Sequence, residues 1–136
     1  MKKKFQVDSD VTKVQKTSRQ VLFFLNALPL TASARFDIRL CLEEALINAI
    51  KYGSGLRKEV PVNLEVETGP KEIRITVEDR GKGFDVKHIK DCTAEENLFR
   101  NRGRGVYLMR RLMDKVHYNR KGNKITMVKL LKKQKK

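Results

Sequence analysis

The residue pattern predicts an α+β domain: a two-layer α/β sandwich with a mixed, mostly antiparallel sheet and helices on one face. Three observations predict it. Two amphipathic stretches of helical period fill the N-terminal part of the chain. Alternation of period two then takes over, in two runs separated by a turn. One more helical stretch and two further alternating runs close the chain, giving the order β-α-α-β-β-loop-α-β-β. The 136 residues fit one domain, 1–136. A chain of this length buries roughly two-thirds of its unfolded surface, enough for one core.

Each element has a local cause. Phe5 to Val7 reads as a short edge strand. Asp8, Ser9 and Asp10 are N-cap types ahead of an amphipathic helix expected over 11–28, with Val14, Val21, Leu22 and Leu25 apolar and Pro29 as its stop. A second helix is expected over 33–52, ended by Gly53-Ser54-Gly55. Val60, Val62, Leu64 and Val66 alternate with polar residues. After Thr68-Gly69-Pro70, so do Ile73, Ile75 and Val77, as in a hairpin with one buried face. A polar, glycine-bearing stretch, 79–104, is long for a plain connection, and such loops usually carry function. A helix over 105–113 and strands over 115–119 and 124–130 complete the chain, the last two joined by Arg120-Lys121-Gly122-Asn123.

Composition excludes several classes. Hydrophobic residues at 40% and charged ones at 35% describe a globular chain rather than a disordered one. The longest apolar run, Val21 to Leu28, is interrupted by Asn26 and falls far short of the roughly 20 residues of a membrane span. No apolar block follows the basic start, so a signal peptide is not expected and a cytoplasmic location is. Cys41 and Cys92 lack any metal-ligand or CxxC spacing and read as free thiols; His88 and His117 have no ligand set beside them. The net charge of +15 is concentrated partly in Lys2 to Lys4 and in the tail from Lys129 to Lys136. Such an excess attracts anions of any kind: nucleotide, nucleic acid, anionic lipid or acidic protein.

Three motifs carry chemistry. On the second helix, Ile38, Leu42, Ala45, Leu46 and Ala49 form one apolar arc, and Glu44 and Asn48 sit one turn apart on its flank. Taken alone, this helix admits two readings. One is a solvated glutamate with a satisfied asparagine. The other is an oxygen ligand for a hard cation, with a carboxylate one turn away as a base. The second motif, Asp79-Arg80-Gly81-Lys82-Gly83-Phe84, follows a strand. An aspartate there can accept from the amino group of a base, and the glycines let backbone approach a ligand; an ordinary glycine turn has the same letters. The third, Arg102-Gly103-Arg104-Gly105-Val106, precedes the third helix, where free N–H groups and the helix dipole favour an anion such as phosphate. The P-loop pattern GxxxxGK[ST], a third dinucleotide-binding glycine, GxSxG and HExxH are all missing.

In this order and spacing, the three motifs resemble the N, G1 and G2 boxes of the GHKL superfamily, the Bergerat-fold ATP-binding domain of gyrase, Hsp90, histidine kinases and MutL. The resemblance covers nearly the whole chain. It is nearest to the small anti-sigma-factor serine/threonine kinases of bacterial partner-switching systems, through Leu42 to Gly53, Asp79 to Asp85, Glu96 to Phe99 and Gly103 to Met109. It implies Mg²⁺ held by Asn48 and Glu44 as general base. It implies ATP contacts from Asn48, Lys51, Asp79, Gly81, Gly83, Arg102, Gly103, Arg104, Gly105, Val106 and Thr126, with Asp79 on the adenine amino group. It implies a lid over 86–102 and leaves 131–136 as a basic tail. Two features depart from the family. Asn123 stands where members often carry Thr or Ser, after the glycine equivalent to Gly122, and the charge is unusually basic.

The activity so implied is Mg·ATP-dependent phosphorylation of a Ser or Thr on a STAS-domain anti-sigma-factor antagonist, by a homodimer that also binds a sigma factor. A nucleotide-gated binding module of the same fold, without phosphotransfer, is the alternative. Membrane association is not expected. Nucleic-acid binding is disfavoured, because no aromatic-rich binding strand or helix-turn-helix signature accompanies the charge.

Overall fold

The computed structural model describes residues 1–53, 55, 57, 59–81 and 101–131, with backbone alone for 101–104. Strand β1 (Lys2–Val7) leads into a 3₁₀ turn, Val11–Lys13, whose N-cap Asp10 accepts from the Thr12 amide at 3.0 Å and the Thr12 hydroxyl at 2.8 Å. Helix α1 (Val14–Phe24) relaxes into a second 3₁₀ turn, Leu25–Ala27, so the stretch expected as one helix is three pieces. Thr31 caps α2 (Ala32–Asn48) by accepting from the Ala34 amide. At Ala49 the α-helix widens into a π-helical turn, Ala49–Gly53, rather than running on in α form. Such turns concentrate at functional sites, and this one begins directly after Asn48.

The hairpin forms as expected, from β2 (Val62–Thr68) and β3 (Glu72–Glu78). Helix α3 (Asn101–Leu112) begins earlier than the glycines suggested, and β4 (Lys115–Tyr118) and β5 (Lys124–Leu130) follow. The five strands take the order β1-β2-β3-β5-β4, and every pair is antiparallel. The mostly antiparallel sheet forms as expected, without its mixed part: among the described residues no parallel pair is hydrogen-bonded, because β3 and β4, which α3 links in parallel, are kept apart by β5 inserted between them.

Register decides which face is buried. Val66 opposes Ile75, which opposes Met127; Leu64 opposes Val77, which opposes Ile125. All six lie inside, packed under Leu25, Ile38, Leu42, Leu46 and Ile50. Helix α2 is the central beam, lying between α1 and α3 and touching β3 and β5. The other sheet face is polar and open, a groove of about 730 Å³ whose lining includes Lys4, Glu65, Arg74, Thr76, Lys124 and Thr126.

Cys41 is buried in α2, and burial, with the Asp37 carboxylate nearby, pushes its thiol up to about 12. It is an inert, protonated core residue at neutral pH. Cys92 and His88 lie outside the described residues. Among those described, no helix is long and apolar enough to cross a membrane.

One polar tie closes the layers. Lys129 of β5 donates to the Asp37 carboxylate at 3.1 Å and to the Leu112 carbonyl at 2.7 Å. One ammonium thus joins α2, the C-terminal end of α3 and the sheet, with the cation at the negative end of a helix. Both side chains are mostly buried, at 16% and 18% exposure. Lys129→Ala strands a carboxylate and a helix-end carbonyl, and is expected to cost about 2–3 kcal/mol in urea unfolding.

Candidate functional site

The site is built where the end of α2 meets the end of β3. Gly53, last residue of the π turn, is buried against Asp79, the residue that follows β3. A Cβ added to Gly53 would fall on the Asp79 carboxylate. One added to Gly81 would fall on the Gly53 backbone, 2.7 Å from its carbonyl carbon and 2.8 Å from its Cα. Neither position has room for a side chain. The two segments touch backbone to backbone, which only glycine permits here.

Asp79 is 5% exposed and its conformation is held at several atoms. Its Oδ1 accepts from the Gly81 amide at 2.7 Å, closing a turn of the aspartate on its own chain. Its main-chain N–H donates to the Asn123 carbonyl at 2.9 Å, and its carbonyl accepts from Asn123 Nδ2 at 2.7 Å. Asn48, 7% exposed, lines the same cleft as Asp79 together with Ala45, Ala49, Val77, Tyr118, Gly122, Asn123 and Ile125. The cleft holds about 20 Å³, space for about one water. A purine ring enters only if its walls part.

The third component arrives from α3. A Cβ on Gly105 would stand 2.9 Å from Glu44 Oε2 and 3.0 Å from Asn48 Nδ2. Glu44 and Asn48 therefore converge on one point of the α3 backbone. The one-turn spacing on α2 thus becomes a pair of polar groups aimed at the opening turns of another helix. Asn48 Nδ2 is buried there with no hydrogen-bond partner among the described residues, in a position where a folded protein normally supplies one. Rotating the amide by half a turn puts its oxygen at the same place. An amide oxygen beside a carboxylate is the hard-oxygen donor set that Mg²⁺ prefers, so the residues present fit that ion. Among the described residues no group of three His, Cys, Asp or Glu gathers as a rival metal site.

The expected residues divide as follows. Glu44, Asn48, Asp79, Gly81 and Gly105 meet at this junction. Lys51 lies on the π turn with its side chain exposed and does not line the cleft. Arg102, Gly103 and Arg104 belong to α3 as backbone, and Gly83 and most of the expected lid lie outside the described residues, with 101 and 102 in α3. Two expectations are corrected. Gly105 does not open a helix: it lies at least four residues inside α3, where its N–H is already part of the helical ladder, and Val106 is a fully buried core residue, while Gly103 stays within the first turn of α3. Thr126 is on the wrong face. Ile125 and Met127 point inward, so the intervening Thr126 projects to the open side of the sheet.

Sequence reasoning missed Gly53, Ala45, Ala49, Tyr118, and the bonding role of Asn123. A signal was present for the alanines: small residues at positions 45 and 49, flanking Asn48, keep one side of α2 flat.

A model of the histidine kinase-like ATPase domain matches residues 7–129. The chain belongs to that family. The serine-protein kinases RsbW of Staphylococcus aureus strains bovine RF122 / ET3-1 and MRSA252 are each 31% identical over 106 residues, covering 72% of this chain and 67% of theirs. A solved structure of the RsbU and RsbW domains of Rv1364c from Mycobacterium tuberculosis shares the fold, with a TM-score of 0.64 at 15% identity. That match spans 96% of this chain and about a third, 32%, of the other. The boundaries of the family match enclose all three motifs and the whole sheet except β1 before Val7 and the last residue of β5, Leu130.

Gly81→Ala tests the backbone contact. Because its Cβ meets main chain rather than a flexible tip, the substitution is expected to cost about 3 kcal/mol in chemical denaturation, whereas Gly55→Ala, with open space around it but a φ of +64°, costs about 1 kcal/mol.

Proposed function

We propose that this chain is a Mg·ATP-dependent protein serine/threonine kinase and anti-sigma factor. Its substrate is a serine or threonine on a STAS-domain antagonist, and its second partner is a sigma factor. The observation that carries this reading is the convergence of Glu44 and Asn48 on Gly105, with Asn48 also lining the cleft that Asp79 lines. Kinship with the serine-protein kinases RsbW supports the choice of reaction. With it go a homodimeric state, a cytoplasmic location, a single domain over 1–136, a lid over 86–102 and a basic tail over 131–136.

In this reading each residue has a separate task. Asp79, fixed through its main chain and through Oδ1, accepts from the exocyclic amino group of adenine. Gly53 and Gly81 keep side chains out of that corner so that the base can lie against backbone. Asn48 supplies an amide oxygen to Mg²⁺, which when bound neutralises charge on the phosphate oxygens. Lys51, Arg102 and Arg104 add positive charge for the phosphates, Gly83 and Gly103 close backbone approach. Glu44 takes the proton from the incoming hydroxyl. The hydroxyl oxygen then forms a bond to the terminal phosphorus as the bond from that phosphorus to ADP breaks, leaving phosphoserine or phosphothreonine and ADP.

The test is incubation of the purified chain with γ-labelled ATP, Mg²⁺ and a STAS-domain partner. Label is expected on the partner. Glu44→Ala is expected to keep nucleotide affinity within about threefold while lowering transfer by about 10²-fold or more. Asn48→Ala is expected to lose the Mg²⁺-dependent part of nucleotide binding in calorimetry. Label that stays on nucleotide while partner affinity responds to it would instead identify a nucleotide-gated binding module, and normal transfer by the Glu44 variant would remove that residue from the mechanism.

A further inference from the structure

The turn between β4 and β5 carries two asparagines, Asn119 and Asn123, around Gly122, which has a φ of +81°. Their hydrogen bonds leave no freedom in how either amide is oriented. Asn119 Oδ1 accepts from three successive main-chain amides, Gly122 at 2.8 Å, Asn123 at 3.1 Å and Lys124 at 3.2 Å. Only an oxygen can face three N–H donors, so the NH₂ end of Asn119 must point the other way. There it donates to Asn123 Oδ1 at 2.8 Å. That contact in turn fixes Asn123, whose own NH₂ must point at the Asp79 carbonyl, at 2.7 Å. Meanwhile the Asn123 carbonyl accepts from the Asp79 N–H at 2.9 Å.

Asn123 thus grips the peptide units on both sides of the Asp79 Cα. The grip is a side-chain bond on one side and a main-chain bond on the other. The Gly81 amide then fixes the carboxylate. The chain of contacts runs from the turn, through Asn119 and Asn123, to the one acidic group lining the cleft, and Asn123 itself lines that cleft.

We infer that Asn123, oriented by Asn119, is a positioning residue that sets purine selectivity by holding the Asp79 carboxylate in register with the base. This rests on the reading of Asp79 as the group that accepts from the adenine amino group. A hydrogen bond to a base weakens steeply with a few tenths of an ångström or some tens of degrees of misalignment. A guanine presents a carbonyl where adenine presents its amino group, and against a carboxylate that swap turns attraction into repulsion. The discrimination is only as sharp as the carboxylate's placement. A merely structural turn residue would, when removed, weaken both nucleotides alike; a positioning residue changes their ratio.

The experiment measures Mg·ATP and Mg·GTP affinities by calorimetry on the full chain and on three variants, with thermal melts alongside. The wild type is expected to favour ATP, and Asp79→Asn to lose that preference. Asn123→Ala is expected to lower the ATP-to-GTP affinity ratio by about tenfold, the scale of one hydrogen bond, with GTP affinity nearly unchanged. Asn119→Asp keeps an acceptor for the three amides but puts a second acceptor where the donor that orients Asn123 stood, which favours the flipped Asn123 amide, so it is expected to lower the ratio by about threefold or more. It also decides the matter if the alanine variant does not fold. A wild type without ATP preference overturns the reading of Asp79 and this inference with it. A wild type that discriminates and an Asp79 variant that does not, beside asparagine variants with the wild-type ratio or with equal losses for both nucleotides, overturns this inference alone.

Discussion

The contact on which the site depends is made of backbone. Helix α2 can bring its C-terminal end against the end of β3 only because Gly53 and Gly81 leave out the atoms that would hold the two segments apart. A methyl group on either side would displace the Asp79 carboxylate or the π turn, and the cleft lined by Asn48 and Asp79 would lose its shape. The same economy recurs at Gly105, whose bare Cα lets α3 settle onto Glu44 and Asn48. Three glycines from three distant segments therefore define a junction that no single side chain could form. Its polar groups are placed by the absence of neighbours as much as by bonds.

Rigidity comes from the layer beneath. The inward rows of β2, β3 and β5 pack under Leu42, Leu46 and Ile50 of α2, so the functional flank of that helix inherits the position of its apolar face. The register of β3 against β5 carries Asp79 to within reach of Asn123, since Glu78 opposes Lys124 and the next pair beyond the ladder is Asp79 with Asn123. Core and site are thus one construction. The tie of Lys129 to Asp37 and to the end of α3 works at the far end of the same helices.

Most of the fold was legible because period and burial are the same fact in a two-layer domain. Alternation over 62–66 and 73–77 named the inward residues, and the arc from Ile38 to Ala49 named the buried face of α2. Glu44 and Asn48 were legible because a turn of helix fixes their relative direction. Asp79 and Gly81 were legible because they follow a strand at once. What failed had local causes. Thr126 was assigned to the cleft against its own strand's alternation, which puts Ile125 and Met127 inside. Gly105 looked like a helix opening because glycine is a poor helix interior residue; a tertiary contact with Glu44 and Asn48, invisible to local propensity, is why it sits inside α3. Asn119 was read as the end of a strand and Asn123 as a departure from the family's Thr or Ser, and neither as a partner of Asp79, since a bond from position 123 to position 79 has no sequence signature.

The size of the cleft gives the asparagine pair its meaning. A space of about 20 Å³ between Ala45, Ala49, Val77, Tyr118 and Ile125 is far too small for a purine, so any base that enters must spread walls that belong to the core. Spreading works against alignment, because the group that reads the base moves with its wall. Asp79 escapes that conflict in the measure that it is bonded to the turn as well as to its strand. With its N–H and carbonyl both bound to Asn123, the aspartate moves with the β4–β5 turn as one unit. A base entering past the small side chains of Ala45 and Ala49 then meets a carboxylate whose main chain is held on both sides of its Cα.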